Sequence, residues 1–362
     1  MNALKEKIIH RIRAQGPITV AQYMQSALGD PFHGYYISRD PFGRDFVTAP
    51  EVSQIFGELL GLFLVQAWED RGRPQCISLV ELGPGRGTLM ADMMRAAEKV
   101  RPDFGQAAKI ILVETSPLLR STQKRTLSHY APSWVVRWEE LPDGAPIYLI
   151  ANEFFDALPI RQFVLCPDGW HERVVVAEGQ ELVFALSPDV HAAETLFAGR
   201  GAGPKEGAEE GAVLELNASA QAIIAGVAER IAHSNGVGLI VDYGYGEAGY
   251  GDTFQALKSN SYADPLSEPG EADLTAHVDF VALKTSARQA GAGVCGPITQ
   301  RLLLEALGIR LRADQLRSAA PDRTKDVDEA VARLTAENQM GASFKAMALS
   351  RPGSTQLPGF SC

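Results

Sequence analysis

Chemistry in this chain has to be sought at strand ends, where acids and amides follow apolar runs. Ser78–Leu89 (SLVELGPGRGTL) is an apolar run closing on Glu81, then Gly83-Pro84-Gly85-Arg86-Gly87, then a helical pattern from Thr88 to about Val100. Strand, glycine turn and helix form the opening unit of a nucleotide-binding α/β sheet. Glycines let the backbone turn sharply and let a ligand lie on bare main chain, and the helix start offers unpaired N–H groups. The spacing is G-x-G-x-G, not the dinucleotide G-x-G-x-x-G. A second β-branched run, Lys109–Val113, ends in Glu114. An acid there can accept both hydroxyls of a ribose, a device that NAD enzymes share. Ser116 is a natural N-cap, with Pro117 at the first helical position.

The fourth apolar run, Ile147–Ala151, leads into Asn152-Glu153-Phe154-Phe155-Asp156. Ligands of open α/β sheets sit beyond the carboxyl ends of the strands, so Asn152, Glu153 and Asp156 point at the site. Glu153 and Asp156 are three apart, and one helical turn would place both carboxylates on one side. Further on, His277 and Asp279 are placed to act as acid, base or hydrogen-bond partners. Asp273 and His277 stand at i, i+4, but no third ligand is recruited, and a helix-start acid beside a satisfied histidine is the commoner arrangement. No metal is expected.

These groups need elements to hold them. With 46% hydrophobic and 22% charged residues the 362-residue chain has globular composition. A net charge of −10 argues against a nucleic-acid binder while leaving a basic protein substrate open. The four cysteines (Cys76, Cys166, Cys295, Cys362) form no C-x-x-C pair and are expected as reduced thiols in a cytoplasmic chain. Met1–Gly16 has no apolar core of a signal peptide, and Leu59–Trp68 is too short to span a bilayer.

Taken in order, residues 4–14 form an amphipathic helix and Thr19 opens a second. Residues 29–50 are a loop of the kind that covers active sites. Helix 51–70 has an apolar face suited to the interior or to a dimer contact. Runs at 77–82, 110–113, 135–136, 147–151 and 237–241 alternate with helices and imply a parallel sheet. Residues 160–187 alternate around Pro-Asp-Gly and Glu-Gly-Gln turns, an inserted antiparallel meander that could widen a substrate cleft. Residues 199–212 are a flexible glycine and charge run, and 249–273 a second long aperiodic loop. Residues 274–280 open a helix, 294–297 is strand-like, 299–308 and 326–340 are helices, 343–349 is the last strand, and the tail after Arg351 is disordered. The expected division is a helical extension with an active-site loop over 1–75, a catalytic domain over 76–350, and a tail over 351–362.

The G-x-G-x-G loop with its preceding acid resembles motif I of class I methyltransferases, which bind S-adenosyl-L-methionine (SAM). FVTAPEVSQIFGELLG, VELGPGRGTL, ANEFFDALP, DYG and LTAHVDF occur in that order. Together they resemble the MidA family of SAM-dependent methyltransferases, over nearly the whole chain. The resemblance implies a class I, Rossmann-like α/β fold with a helical N-terminal extension. It implies SAM as cofactor, S-adenosyl-L-homocysteine as product, and a cofactor site of Glu81, Gly83, Gly85, Gly87, Glu114 and Ser116. In that reading Trp138 either stacks on the adenine or is a plain core tryptophan. The implied reaction is symmetric dimethylation of an arginine in a core subunit of respiratory complex I, with Asn152, Glu153, Asp156 and His277 on the substrate side. Better-known arginine methyltransferases carry two glutamates on a longer loop, which leaves the role of Asp156 open. Two alternatives stand: a small-molecule methyltransferase with a pocket roofed by 29–50 and 249–273, and a SAM-binding assembly factor without catalysis.

Overall fold

The computed structural model describes residues 2–38, 48–197, 208–354 and 356–361. The chain divides into two compact units. One is built from Val47–Phe154, Ile223–Gly246 and Ala287–Cys362, the other from Met1–Phe46, Phe155–Ala222 and Glu247–Ser286.

The first unit holds a mixed sheet of β1 (Ile77–Leu82), β2 (Ala108–Val113), β3 (Ser133–Val135), β4 (Ile147–Asn152), β5 (Val237–Tyr245), β6 (Gly293–Thr299) and β7 (Phe344–Ser350). Their order is β3-β2-β1-β4-β5-β7-β6. β3, β2, β1, β4 and β5 run parallel, and β7 lies antiparallel between β5 and β6. The order reverses between β1 and β4, which is where a doubly wound sheet opens a crevice at its carboxyl ends. β1 and β4 are buried at every position, and strands covered on both faces read as unbroken apolar runs.

Helices α1 (Gln54–Asp70), α2 (Thr88–Val100) and α3 (Pro117–Thr126) belong to this unit. The helix expected over 51–70 is broken at Ser53, whose extended backbone lets its side chain cap Ile55 and splits off a short turn, Ala49–Val52. Leu59, Leu60, Phe63 and Leu64 enter the sheet core, so this apolar face lies inside the unit. A helix over Ile309–Ala319 adds to the expected pattern. The tail is not disordered, because its two large apolar residues give it an anchor: Leu357 and Phe360 are buried, and Phe360 meets Phe63 edge-on. Cys76 and Cys166 are free, whereas Cys295 is disulfide-bonded. The expectation of reduced thiols throughout is corrected there, since scattered spacing does not reveal which cysteines the fold brings together.

The second unit carries the helices Ala3–Gln15 and Val20–Gly29, the latter closed by a Thr19–Gln22 capping box. The expected meander is present as Arg161–Cys166, Gly169–Glu178 and Glu181–His191; Val213–Leu216 pairs with its first strand and Ile18–Thr19 with its middle one. The apolar faces of both helices share one core with Val175 and Leu182 of the meander. The stretch expected to be a structureless loop over 249–273 holds the strands Gln255–Lys258 and Ser261–Ala263, and Gln255–Lys258 pairs with both Ser261–Ala263 and Asp273–Thr275. Short strands with a single buried position give little periodicity to read. Residues 274–275 are accordingly strand, and the helix starts only at Phe280. Residues 39–47 of the expected covering loop and 198–207 of the expected flexible run lie outside the described residues.

Candidate cofactor and active site

The carboxyl ends of β1, β2, β4 and β5 gather the site residues of the first unit. Glu81, on β1, is 3% exposed, and its Oε2 is buried with no hydrogen-bond partner. Burial, with the nearby Glu114 carboxylate adding to it, pushes its carboxyl up to about 8. Gly83, Gly85 and Gly87 all take left-handed φ. At Gly83 a Cβ would also meet the Phe154 ring at 2.9 Å, so only glycine fits there.

Glu114 follows β2 and is 7% exposed. Its Oε1 accepts the Ser116 N–H at 2.7 Å and its Oε2 accepts Gln123 Nε2 at 3.0 Å. Burial raises its carboxyl, while these two hydrogen bonds oppose the rise. Ser116 caps α3 through Leu119 N–H. Gln123 also donates to the Gly85 carbonyl at 2.8 Å, so it ties the glycine loop to Glu114.

At the end of β4, Asn152 donates Nδ2–H to Glu153 Oε1 at 3.0 Å, and its own Oδ1 is buried without a partner. Glu153 Oε1 also accepts the Ala49 N–H at 3.0 Å. Glu153 sits at φ +50°, a conformation that costs a non-glycine residue about 1 kcal/mol or more and that clusters at functional sites. The turn is fixed by Asp242 at the end of β5. This fully buried acid accepts the N–H groups of Phe154 and Tyr243 at 3.1 and 2.9 Å. Thr88, opening α2, donates to Glu51 at 2.7 Å. The 48–52 turn, the glycine loop and the end of β4 thus share one neighbourhood.

Trp138 lies in the short turn Trp138–Glu140, and its ring occupies the space over Gly226, where a Cβ would sit 2.0 Å from it. It lines a cavity of about 700 Å³ with Ile147, at the amino end of β4. This contact supports the packing reading of Trp138. Asp156 and His277 belong to the second unit. Asp156 is buried and its carbonyl accepts the Ala276 N–H. Burial first, then the charges of Asp273 and Asp156, holds the Tyr36 phenol well above its ordinary value. Tyr36 donates to Asp273 at 2.7 Å. His277 is exposed, with its N–H on Thr253 Oγ1. Asp279 caps the following helix through Val281 and Ala282.

Gln123 was not singled out from the sequence, and Asp242 entered only within the DYG motif, with no role assigned. Asp242 left a signal, an acid after a fully apolar strand. Gln123 left none, being one polar residue in a polar helix.

A family described as "Putative S-adenosyl-L-methionine-dependent methyltransferase" matches residues 59–298. The chain belongs to this methyltransferase family. It is 36% identical to a Drosophila melanogaster protein named "Protein arginine methyltransferase NDUFAF7 homolog, mitochondrial", covering 96% of this chain and 84% of that one. The Homo sapiens relative, of corresponding name, is 35% identical, with 94% and 82% covered. A crystal structure from Burkholderia thailandensis, bound to S-adenosyl-homocysteine, superimposes with a TM-score of 0.84 at 27% identity, covering 99% of this chain and 94% of that one.

The protein is a SAM-dependent methyltransferase of class I fold, and its residues suit that cofactor. SAM brings an ammonium, a ribose diol and a sulfonium. The orphaned acceptors Glu81 Oε2 and Asn152 Oδ1 call for donors or positive charge, and a buried carboxylate at the tip of β2 suits a diol. Among the described residues no cluster of histidine, cysteine or acidic side chains suits a metal ion, and no helix is long and apolar enough to cross a membrane.

Proposed function

We propose that this methyltransferase acts on a protein arginine, completing symmetric dimethylation in a core subunit of respiratory complex I. We also propose Glu81, the three glycines, Glu114 and, through its main-chain N–H, Ser116 as the cofactor site, and Asn152 and Glu153 as the residues that receive the guanidinium. Asp156 and His277 are proposed as substrate-side groups of the second unit. The proposed setting is the cytoplasm.

The observation that carries the reading is the Glu153 carboxylate, held from two sides at the end of β4 beside the Phe154 ring that covers Gly83. The names of the relatives point the same way. A guanidinium matches a carboxylate in charge and in donor geometry. Its high pKa keeps it protonated at rest. Glu153 then has two tasks: to aim one nitrogen and to take the proton that leaves as the methyl arrives. The sulfonium supplies an already activated methyl group, so the protein contributes chiefly alignment.

The test is transfer of labelled methyl from SAM to a recombinant complex I core-subunit homologue. Wild type should label arginine, and Glu153→Gln should lose about 100-fold in rate while binding SAM within about twofold of wild type. Equal labelling by the variant removes Glu153 from the mechanism. Absent labelling by a wild type that binds SAM tightly removes the proposed substrate, and leaves a small-molecule methyltransferase or an assembly factor without catalysis.

A further inference from the structure

We infer that Gln123, aimed by Trp134, is a positioning residue that sets the spacing between the two halves of the cofactor site and thereby its selectivity for a ribose diol. The inference rests on the assignment of Glu114 to the ribose.

Gln123 has no exposed surface, although it lies on α3 among Ser121, Thr122, Lys124 and Arg125. A fully buried amide is costly unless its donors and acceptor are all used. Here all are. One N–H goes to the Gly85 carbonyl at 2.8 Å, the other to Glu114 Oε2 at 3.0 Å, and Oε1 accepts the Trp134 indole N–H at 2.8 Å. The indole can only donate, so it fixes which end of the amide faces the site. Turned over, the amide would point its oxygen at two acceptors, the Gly85 carbonyl and the Glu114 carboxylate. Trp134 therefore specifies the orientation, and Gln123 transmits it to both halves at once.

The strut lies where the glycine loop approaches α3. A Cβ on Gly87 would meet Leu127 at 3.4 Å and the Gln123 Cα at 3.6 Å. The Ser116 N–H holds the other Glu114 oxygen. With both oxygens held, the carboxylate plane is set before any ligand arrives, and ligand binding does not have to order it. Gln123 does not itself contact the cofactor in this account. It acts through Glu114 and the Gly85 carbonyl.

The experiment measures dissociation constants of S-adenosyl-L-homocysteine and of its 2′,3′-dideoxy analogue by calorimetry. The proteins are wild type, Gln123→Leu, Trp134→Phe, Glu114→Ala and the Gln123→Leu/Glu114→Ala double variant. Wild type should prefer the ribose form. Gln123→Leu should lose about tenfold for the ribose form and little for the dideoxy form. Trp134→Phe, which keeps the ring but not the donor, should show the same pattern more weakly. In the double variant the effects should fail to add, because Gln123 acts through Glu114.

Equal losses for both ligands, or additive effects, would mean that Gln123 only supports the fold and would overturn the inference. Wild-type affinity in Gln123→Leu would do the same. If Gln123→Leu does not fold, Trp134→Phe carries the comparison alone: an unchanged preference for ribose overturns the inference, a reduced one supports it. Unimpaired ribose binding by Glu114→Ala would instead overturn the assignment on which the inference rests.

Discussion

Glu81 and Glu114 stand at the ends of adjacent parallel strands, are both buried, and are treated in opposite ways. The chain after β2 turns back at once into α3, and that helix supplies the Ser116 N–H and the Gln123 amide to the Glu114 carboxylate. The chain after β1 is Gly83-Pro84-Gly85-Arg86-Gly87, whose glycines have no side chains to offer, and Glu81 keeps an oxygen without a partner. One acid is held by the protein, and the other keeps an open oxygen that the proposed cofactor contact would complete. A buried carboxylate without donors is the costly kind, which is why the Glu81 carboxyl rises to about 8. A site can carry that cost where binding later relieves it.

The contrast breaks most sharply at Glu114. Glu114→Ala removes the proposed acceptor for the ribose and leaves the Ser116 N–H and one Gln123 N–H without their partner. The expected loss of SAM affinity is about 100-fold, from two hydrogen bonds to a charged group at about 1.5 kcal/mol each. Calorimetric titration checks it. A loss under threefold would show that the prepared acid is structural only.

Glu81 sharpens the comparison through pH. Its folded value lies above the ordinary glutamate value of 4.5. Between those limits the free enzyme holds a proton that the unfolded chain has lost, so this group's stabilising contribution is full below 4.5 and declines as pH rises toward 8. The thermal midpoint of the ligand-free protein should therefore fall between pH 6 and pH 8.5, and fall less in Glu81→Gln. Affinity for SAM should run the other way. The ammonium needs the carboxylate charged, so the gain approaches about tenfold per pH unit and levels off above 8. Affinity that is flat with pH in wild type would show that Glu81 does not meet the positive charge.

The same contrast explains what could be read from the residues alone. Strand-end acids announce themselves, because each interrupts a long apolar run. Glu81, Glu114 and Glu153 were visible in this way, and with them the parallel sheet. Two kinds of feature were hidden. Gln123 is specified by tertiary neighbours and looks like any helix-surface glutamine in sequence. The short strands at 255–258 and 261–263 are too brief for a period of two to show. Leu357 and Phe360 were legible as apolar residues, but their partners, such as Phe63, stand far away in the chain. Ser53 broke a helix that apolar spacing drew as continuous, because spacing reports the buried face and not the cap.

Ser116 separates side chain from main chain within the prepared half. Its hydroxyl oxygen accepts the Leu119 N–H at 3.4 Å, a long cap, whereas its own N–H reaches Glu114 at 2.7 Å. Ser116→Ala removes only the first, so it should cost about 0.5–1 kcal/mol of stability in denaturant titration and leave SAM affinity within about twofold. Ser116→Pro removes the second as well, so its difference from Ser116→Ala isolates the N–H. The residue sits at φ −77°, which proline accepts, so the backbone can stay in place while the donor is lost. SAM affinity should then drop about fivefold, the worth of one such hydrogen bond. If alanine weakens binding as much as proline does, the preparation of Glu114 comes from the cap on α3 and not from the amide.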